Sequence, residues 1–290
     1  METAVRAVRA VLAGVWLLVA WASSAAAADG RPMRIVSLNL CTDQILMMLV
    51  DPGRIAAVSY LSRNPDASVM AAEAAGLPVT HGLAEEILTL KPDLVIAGTF
   101  TTRPTVQLLQ RLGYRVLVVP PAYGIDDIRR NVRRIAGAVH EPRRGDALIA
   151  DFDRQLAALA APAPERGLVA ATYYASNYTS GSATLADDLI RAAGFRNLAA
   201  EMGKRGTARL ALEHLIWRAP DLVVLGRTRA AYRTVTAENL KHPALNAMLR
   251  RVPAVVVPDK LWICGTPHSL DVVARLAVQR RRILAARSPQ

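Results

Sequence analysis

The segment EPRRGDALIADFDRQLAALA, residues 141–160, decides the fold predicted for this 290-residue chain. Its apolar side chains recur at spacings of three and four, which places Ile149 and Phe152 on one face of a helix. Pro142 suits the first turn of a helix, and Pro162 forbids continuation soon after the segment ends. We therefore predict one amphipathic helix near the middle of the chain.

On both sides of this helix, short runs rich in valine and isoleucine alternate with helical patterns. The runs predicted to be strands are 34–38, 55–59, 94–97, 116–119, 167–171, 222–225 and 254–257; the intervening predicted helices are 43–50, 66–75, 83–90, 105–112, 125–138, 185–193, 209–218, 243–250 and 269–284. Such alternation is typical of parallel sheets with helices on both faces. The sequence thus predicts an N-terminal α/β lobe at 29–140, a connecting helix at 141–162 and a C-terminal α/β lobe at 163–290.

One segment recurs almost residue for residue 128 positions later. EEILTLKPDLVIAG at 85–98 becomes EHLIWRAPDLVVLG at 213–226, which indicates two related lobes. Packing accounts for the shared Pro-Asp pair, which leads into a buried strand, and for the closing glycine, which permits a tight turn. It does not require the acids that begin the copies, Glu85 and Glu213, for which interaction with the helix dipole is one explanation.

Residues 1–28 have the composition of a cleavable secretory signal. Arg6 and Arg9 precede the apolar run VLAGVWLLVA at 11–20, and small residues at 25–28 offer a cleavage site. A membrane anchor is the alternative, but it needs about 20 apolar residues and this run is shorter. We expect export to the periplasm.

The chain is basic, with a formal net charge of +12 at pH 7. Its arginines are scattered and are not interleaved with aromatic residues, so solvated helix faces explain them and a nucleic-acid partner is not expected. A positive surface that attracts anionic ligands is the alternative.

Together these segments resemble the periplasmic binding proteins that serve ABC importers of ferric siderophores, haem and cobalamin. The resemblance spans residues 34–284 and includes RIVSLNLCTDQILMMLVDPGRIAAVSY at 34–60 and ATYYASNYTSGSATLADDLIRAAGFRN at 171–197, beside the repeat and the central helix. It implies two Rossmann-like lobes joined by one long helix, with a metal chelate bound in the cleft between them and no cofactor of the protein's own. It also implies that the protein, expected as a monomer, delivers the chelate to an inner-membrane permease.

In this family one carboxylate on each lobe docks onto arginines of the permease. Glu85 and Glu213 fall at the matching positions, and Glu86 is a possible substitute for the first. The resemblance therefore gives the repeated glutamates a role in docking.

In parallel sheets, the loops at the carboxyl ends of the strands face the ligand crevice. Most of the chain's few aromatic residues lie on such loops, and one of the neighbours Tyr173 and Tyr174 must point inward. The predicted ligand-binding residues are Asn39, Tyr60, Thr99, Phe100, Tyr174, Tyr178, Arg227 and Trp262. Rings with a polar edge suit a large flat chelate, either a ferric siderophore or cobalamin. Arg103, Arg227 and Arg229 would favour an anionic chelate if they face the cleft.

Cys41 and Cys264 are the only cysteines, and both fall on predicted cleft-side loops, one in each lobe. Export would place them where disulfides persist, so we expect a bond between them. It would close a loop of over 200 residues, worth about 5 kcal/mol in the chain-entropy model. Separate buried thiols and thiolate ligation of a metal are the alternatives.

Other function classes receive less support from the sequence. The five histidines lack the spacings of a metal motif, so a bare-metal site is not expected. An enzyme would need a constellation such as Cys41, His268 and Asp271, but no base lies near Cys41 in the sequence and the Gly-x-Ser-x-Gly elbow is missing. A haem or cofactor chaperone without a permease is the third possibility. We expect no catalysis.

Overall fold

The structure, a computed structural model, describes residues 30–101, 103–161, 167–226 and 235–287, without the side chains of 235–237. The predicted signal peptide at 1–28 lies outside these residues. Residues 32–290 form one compact unit. Among the described helices, none is both long enough and apolar enough to cross a membrane.

The first lobe contains a five-stranded parallel sheet in the order β3-β2-β1-β4-β5. Its elements are β1 (Ile35–Ser37), α1 (Leu40–Leu49), β2 (Ile55–Ser59), α2 (Ala71–Ala74), β3 (Val79–Thr80), α3 (Ala84–Leu90), β4 (Leu94–Gly98), α4 (Arg103–Arg111), β5 (Val116–Val119) and α5 (Ile125–Ala138). The buried faces of β1 and β4 are aliphatic, as expected for the central strands of a sheet covered on both sides.

The second lobe contains a separate four-stranded parallel sheet in the order β11-β10-β6-β8. A small antiparallel pair, β7 with β9, stands beside it. The elements are β6 (Val169–Thr172), β7 (Tyr178–Ser180), α7 (Leu185–Ala192), β8 (Arg196–Asn197), α8 (Leu198–Glu201), β9 (Thr207–Arg209), α9 (Leu212–Arg218), β10 (Leu222–Leu225), α10 (Pro243–Leu249), β11 (Ala254–Val256) and α11 (Leu270–Arg287).

The central helix α6 (Pro142–Leu159) joins the two lobes and packs into both. Ile149 belongs to the hydrophobic core of the first lobe, whereas Phe152 belongs to a core that includes residues of the second. At its start, the buried Arg54 donates to the carboxylate of Glu141 at 2.6 Å. The predicted fold class, two α/β lobes joined by one long helix, is confirmed. The exact domain limits stay predictions.

The repeated Pro-Asp pair has a more specific purpose than the sequence indicated. The Asp93 carboxylate accepts hydrogen bonds from the backbone N–H groups of Met33 and Arg34, just before β1. The Asp221 carboxylate accepts one from Val169, the first residue of β6. Each aspartate therefore fastens the start of its strand to the start of the neighbouring central strand, and the repeat is a repeat of tertiary structure.

The helix predicted at 66–75 is wrong in its first half, because only Ala71–Ala74 is helical. The side chain of Asn64 accepts from the N–H of Asp66 at 2.9 Å, and that of Ser68 accepts from the N–H of Met70 at 3.1 Å. Such local bonds compete with helical ones, so the segment forms turns instead.

Gly265 permits a close contact between the lobes. A Cβ atom at this position would lie 2.2 Å from the Cβ of Ala122 and 3.3 Å from the side chain of Ile128. We expect Gly265→Ala to lower the free energy of unfolding by about 2 kcal/mol, because overpacking forces neighbouring backbone apart. Chemical denaturation measures this change.

The matched control is Gly137→Ala on the exposed side of α5, where a Cβ would meet nothing within 4 Å. This variant should be more stable than the wild type by about 0.5–1 kcal/mol, since alanine favours a helix and restricts the unfolded chain. Equal effects of the two substitutions would contradict the close contact at Gly265.

Candidate functional site

The order of the first sheet creates a crevice at the carboxyl ends of β1 and β4. These neighbouring strands connect to helices in opposite directions along the sheet, and ligands of parallel α/β sheets bind at such switch points. A cavity of about 220 Å³ lies here. Its lining includes Asn39 and Cys41 after β1, Thr99 and Phe100 after β4, and 119–122 after β5.

Three predicted ligand-binding residues thus line this first cavity, with different local roles. Asn39 caps α1, because its side-chain oxygen accepts from the N–H of Cys41 at 3.0 Å. Thr99 donates to the carbonyl of Val119 at 3.4 Å. Phe100 is 73% exposed, so its ring is free of packing by the core and available to a ligand.

A second, larger cavity of about 620 Å³ opens between the two lobes and shares Pro121, Ala122 and Ile263 with the first. Aromatic side chains from both lobes line it: Tyr123 from the first, and Tyr174, Tyr178 and Trp262 from the second. We call the two cavities together the cleft. Its volume lies in the range of small-molecule binding sites, about 300–1,000 Å³.

The aromatic rings of the second lobe are arranged against one another. Tyr174 and Trp262 meet edge to face, with ring centroids 6.1 Å apart and planes at 88°. The guanidinium of Arg209 lies 5.2 Å from the centroid of Tyr178. Because the two planes are nearly perpendicular, a flat ligand that stacks on one of these rings would meet the other edge-on.

The structure distinguishes between the neighbours Tyr173 and Tyr174. Tyr173 is completely buried, and its hydroxyl donates to Asn177 at 2.7 Å. Tyr174 points the other way and lines the cleft. The alternation expected of an extended segment therefore holds, with Tyr174 as the cleft residue.

Two predicted ligand-binding residues are not placed in the cleft. Tyr60 stacks on His81 with ring centroids 5.0 Å apart, and it lines neither of the two cavities. Arg227 lies outside the described residues, as does Arg229. Arg103 opens α4 and also lines neither cavity.

Asp43 holds the segment that carries Tyr60 against α1. This carboxyl is fully buried, and one of its oxygens accepts from the Ser59 N–H at 3.0 Å and from the Ser62 hydroxyl at 2.7 Å. Burial raises its pKa to about 8, and the hydrogen bonds from the serines offset only part of that effect. Asp43 is therefore protonated over most of the acid and neutral range.

The structure contains the Cys41–Cys264 disulfide, which links the start of α1 in the first lobe to a loop of the second. The Cys41 side chain borders the first cavity. Because its sulfur is bonded, Cys41 is not available as the nucleophile of the alternative enzyme hypothesis.

The cleft carries little charge. Among the described residues that line its two cavities, Asp259 is the one with a side chain charged at neutral pH. Apolar, aromatic, amide and hydroxyl groups form the remainder. Within these described residues, a buried anion would find no basic side chain as a partner.

Sequence reasoning missed Ala122 and Ile263 as cleft residues. Ile263 is 64% exposed and borders both cavities, and Ala122 faces Gly265 across the lobes. The predicted cleft residues were chosen largely for their aromatic rings, and neither Ala122 nor Ile263 has one. Their position on loops after strands was the only available signal, and within those loops only aromatic, polar and charged side chains were chosen.

Glu85 and Glu213 occupy equivalent exposed positions in the first turns of α3 and α9. Within the described residues, neither carboxylate is engaged in a hydrogen bond or ion pair. Glu86, in contrast, accepts from Thr80 at 2.6 Å and from the His81 N–H at 2.7 Å, and these bonds lower its pKa. Glu85 rather than Glu86 is therefore the available acid of the first lobe.

A family model described as "Periplasmic binding protein" matches residues 35–256, which is most of the chain. The chain belongs to the periplasmic binding protein family. The match covers both sheets and the central helix, so it extends over both walls of the cleft. The resemblance found in the sequence is confirmed at this level.

A curated relative and two solved structures show the range of similar proteins. A cobalamin-binding protein of Halobacterium salinarum is 28% identical over 203 residues, 68% of this chain and 55% of that protein, so the chain spans about half the length of the curated relatives it matches. The periplasmic haem-binding protein RhuT from Roseiflexus sp. RS-1 has a TM-score of 0.71 at 23% identity, over 86% of this chain and 98% of that one. The vitamin B12-binding protein BtuF of Vibrio cholerae has a TM-score of 0.62 at 20% identity, over 87% and 98%.

The family consists of binding proteins that act in the periplasm or outside the cell. This periplasmic binding protein is accordingly not an enzyme, and its cleft is a place for capture rather than for chemistry. The likeness to RhuT and BtuF concerns the fold, since both identities are below 25%.

Proposed function

We propose that the cleft captures cobalamin, or a related flat metal chelate without net negative charge, and that the protein delivers it to an ABC permease. The observation that carries the choice is an aromatic cleft whose described lining holds one acidic and no basic side chain. A corrin ring offers a large face for stacking on an aromatic ring of the lining such as Trp262, and its amide side chains suit the hydroxyl and amide groups of the lining.

Charge separates cobalamin from the other candidate chelates. A ferric catecholate is strongly anionic and haem carries two carboxylates, so both need basic partners when they are buried. The 28% identity to a cobalamin-binding protein over 203 residues supports the same choice.

Delivery is proposed through Glu85 and Glu213. The two lobes present one exposed carboxylate each, at positions related by the internal repeat. A permease built as a symmetric dimer can meet both acids with matching basic pockets, and two modest contacts then act together.

Isothermal titration calorimetry tests the proposed cargo. Cyanocobalamin is expected to bind with a dissociation constant between nanomolar and micromolar, whereas haemin and ferric enterobactin should bind at least about 100-fold more weakly, a difference of about 2.7 kcal/mol. Tight binding of an anionic chelate with no binding of cyanocobalamin would overturn the proposal. That result would direct attention to the arginine-containing segment 227–234.

The contribution of the rings is tested in the same titration. We expect Trp262→Ala to weaken cyanocobalamin binding about 10-fold, because a lost aromatic contact is worth about 0.5–1.5 kcal/mol beyond its area. Trp217→Ala is the matched control, since Trp217 is 76% exposed on α9 and does not line the cleft.

A further inference from the structure

One loop of the second lobe carries cleft residues but is held by the first lobe. The 259–265 loop follows β11 and includes a short 3₁₀ turn, Asp259–Leu261. Trp262 and Ile263 line the cleft from this loop, and Ile263 borders both cavities. The position of the loop therefore sets the shape of the cleft.

Three contacts tie this loop to the first lobe. Cys264 is bonded to Cys41 in the first turn of α1, with Cα atoms 4.9 Å apart. Lys260 donates from its Nζ to the carbonyl of Pro65 at 2.8 Å. Gly265 packs against Ala122. Lys260 is a long flexible side chain and Gly265 contributes only van der Waals contact, so the disulfide is the strongest of the three ties.

The two sulfurs differ in accessibility. Cys264 is 1% exposed, whereas Cys41 is half-buried and lines the first cavity. An incoming thiolate therefore reaches the sulfur of Cys41 from the cleft. Cys41 also lies in the first turn of the ten-residue helix α1, where the helix dipole favours a thiolate and makes it a better leaving group.

We infer that the Cys41–Cys264 disulfide is a redox-sensitive clamp that positions Trp262 and Ile263 for cargo, and that its reduction by a dithiol releases the 259–265 loop and weakens cargo binding. Cargo seated in the cleft covers Cys41 and slows the reduction. The two effects are reciprocal at equilibrium, because a change that lowers cargo affinity in the reduced state makes bound cargo favour the oxidised state by the same factor.

The reaction is an ordinary thiol–disulfide exchange with a dithiol as the reductant. One thiolate of the dithiol attacks the Cys41 sulfur, a mixed disulfide forms, and the Cys264 sulfur leaves and takes up a proton. The second thiolate of the dithiol then attacks the dithiol's other sulfur, which is bonded to Cys41 in the mixed disulfide. A cyclic disulfide departs, and Cys41 is released as a thiol, so two electrons have passed from the dithiol to the protein.

A single-tryptophan variant reports the loop directly, without any cargo. Trp217→Phe leaves Trp262 as the only tryptophan of residues 30–290. In protein purified from the periplasm, we expect dithiothreitol to raise the acrylamide quenching constant of Trp262 at least about twofold, since quenching follows exposure of the indole. Adding Cys41→Ser and Cys264→Ser should give the high value from the start and remove the response to dithiothreitol. If that variant does not fold, reduced protein alkylated with iodoacetamide replaces it.

An unchanged quenching constant in protein that shows two free thiols would overturn the inference. The cargo readout rests on the proposed function and is kept separate. With cyanocobalamin, reduction should raise the dissociation constant at least about fivefold, and saturating cyanocobalamin should shift the thiol–disulfide equilibrium toward the disulfide by the same factor. Absence of cyanocobalamin binding in both redox states counts against the proposed cargo and leaves the Trp262 result standing. Equal binding in both states counts against the clamp.

Discussion

Relative to the wild-type protein, the Asp43→Asn variant is expected to gain about 4 kcal/mol in free energy of unfolding as the pH rises from 4.5 to 7.5. In the folded protein burial raises the pKa of Asp43 to about 8, whereas in the unfolded chain it lies near 3.8. Between these values the folded state binds a proton that the unfolded state has lost. The contribution of Asp43 to stability is therefore largest at acid pH and falls as pH rises, at up to about 1.4 kcal/mol per unit.

Asparagine keeps the interactions that the folded protein uses at this position. Its side-chain oxygen can accept from the Ser59 N–H and the Ser62 hydroxyl, as the carboxyl oxygen does. It has no charge to lose from burial, so its contribution does not depend on pH. Urea denaturation of both proteins at pH 4.5, 6 and 7.5 measures the difference.

Asp146→Asn provides the control, because Asp146 is an exposed aspartate on α6. Its stability profile should run parallel to that of the wild type. If the free energy of unfolding of Asp43→Asn also changes with pH as that of the wild type does, Asp43 is ionised in the folded protein. The buried site would then stabilise the charge more than its two hydrogen bonds indicate.

Local pattern was sufficient to predict the architecture. The central helix was predicted from apolar spacing, and the structure places it at Pro142–Leu159. Two runs of aliphatic residues, Ile55–Ser59 and Leu222–Leu225, are strands with the predicted limits. These elements are determined by the spacing of apolar side chains a few residues apart, and that spacing can be read directly from the sequence.

The local pattern could not predict hydrogen bonds between residues that are distant in the sequence. The Asp93 carboxylate binds backbone 60 residues away, and Asp221 binds backbone 52 residues away, so nothing adjacent to the Pro-Asp pairs indicates their purpose. The strand β9 was not predicted, and its last residue was included in the helix predicted at 209–218, because its three residues show no period of their own and depend on pairing with β7.

The candidate site was predicted as a set of loops and only partly as residues. Asn39 was chosen for its place after β1, yet an asparagine just before a helix is also a typical N-cap, and that signal was available. Tyr60 was chosen for its ring, and the ring stacks on His81 instead. Position after a predicted strand indicates which loops face the cleft, whereas the direction of each side chain depends on neighbours distant in the sequence.

Removal of both repeated glutamates is expected to abolish delivery while capture continues. Each charge-assisted hydrogen bond is worth about 1.5–3 kcal/mol, so Glu85→Ala or Glu213→Ala alone should weaken binding to the permease about 10-fold to 100-fold. The acids lie on different lobes, and the losses should therefore add, to about 1,000-fold in the double variant. Affinity for the permease in nanodiscs and uptake of cyanocobalamin by cells measure this effect.

The control for surface charge is Glu73→Ala, which removes an exposed acid on α2 of the first lobe and lies outside both copies of the repeat. It should leave affinity for the permease unchanged. The dissociation constant of cyanocobalamin should be the same in all four proteins, because neither Glu85 nor Glu213 lines the cleft. Uptake that persists in the double variant would assign delivery to another surface, and the repeat of the two acids would then reflect only the favourable charge at the start of each helix.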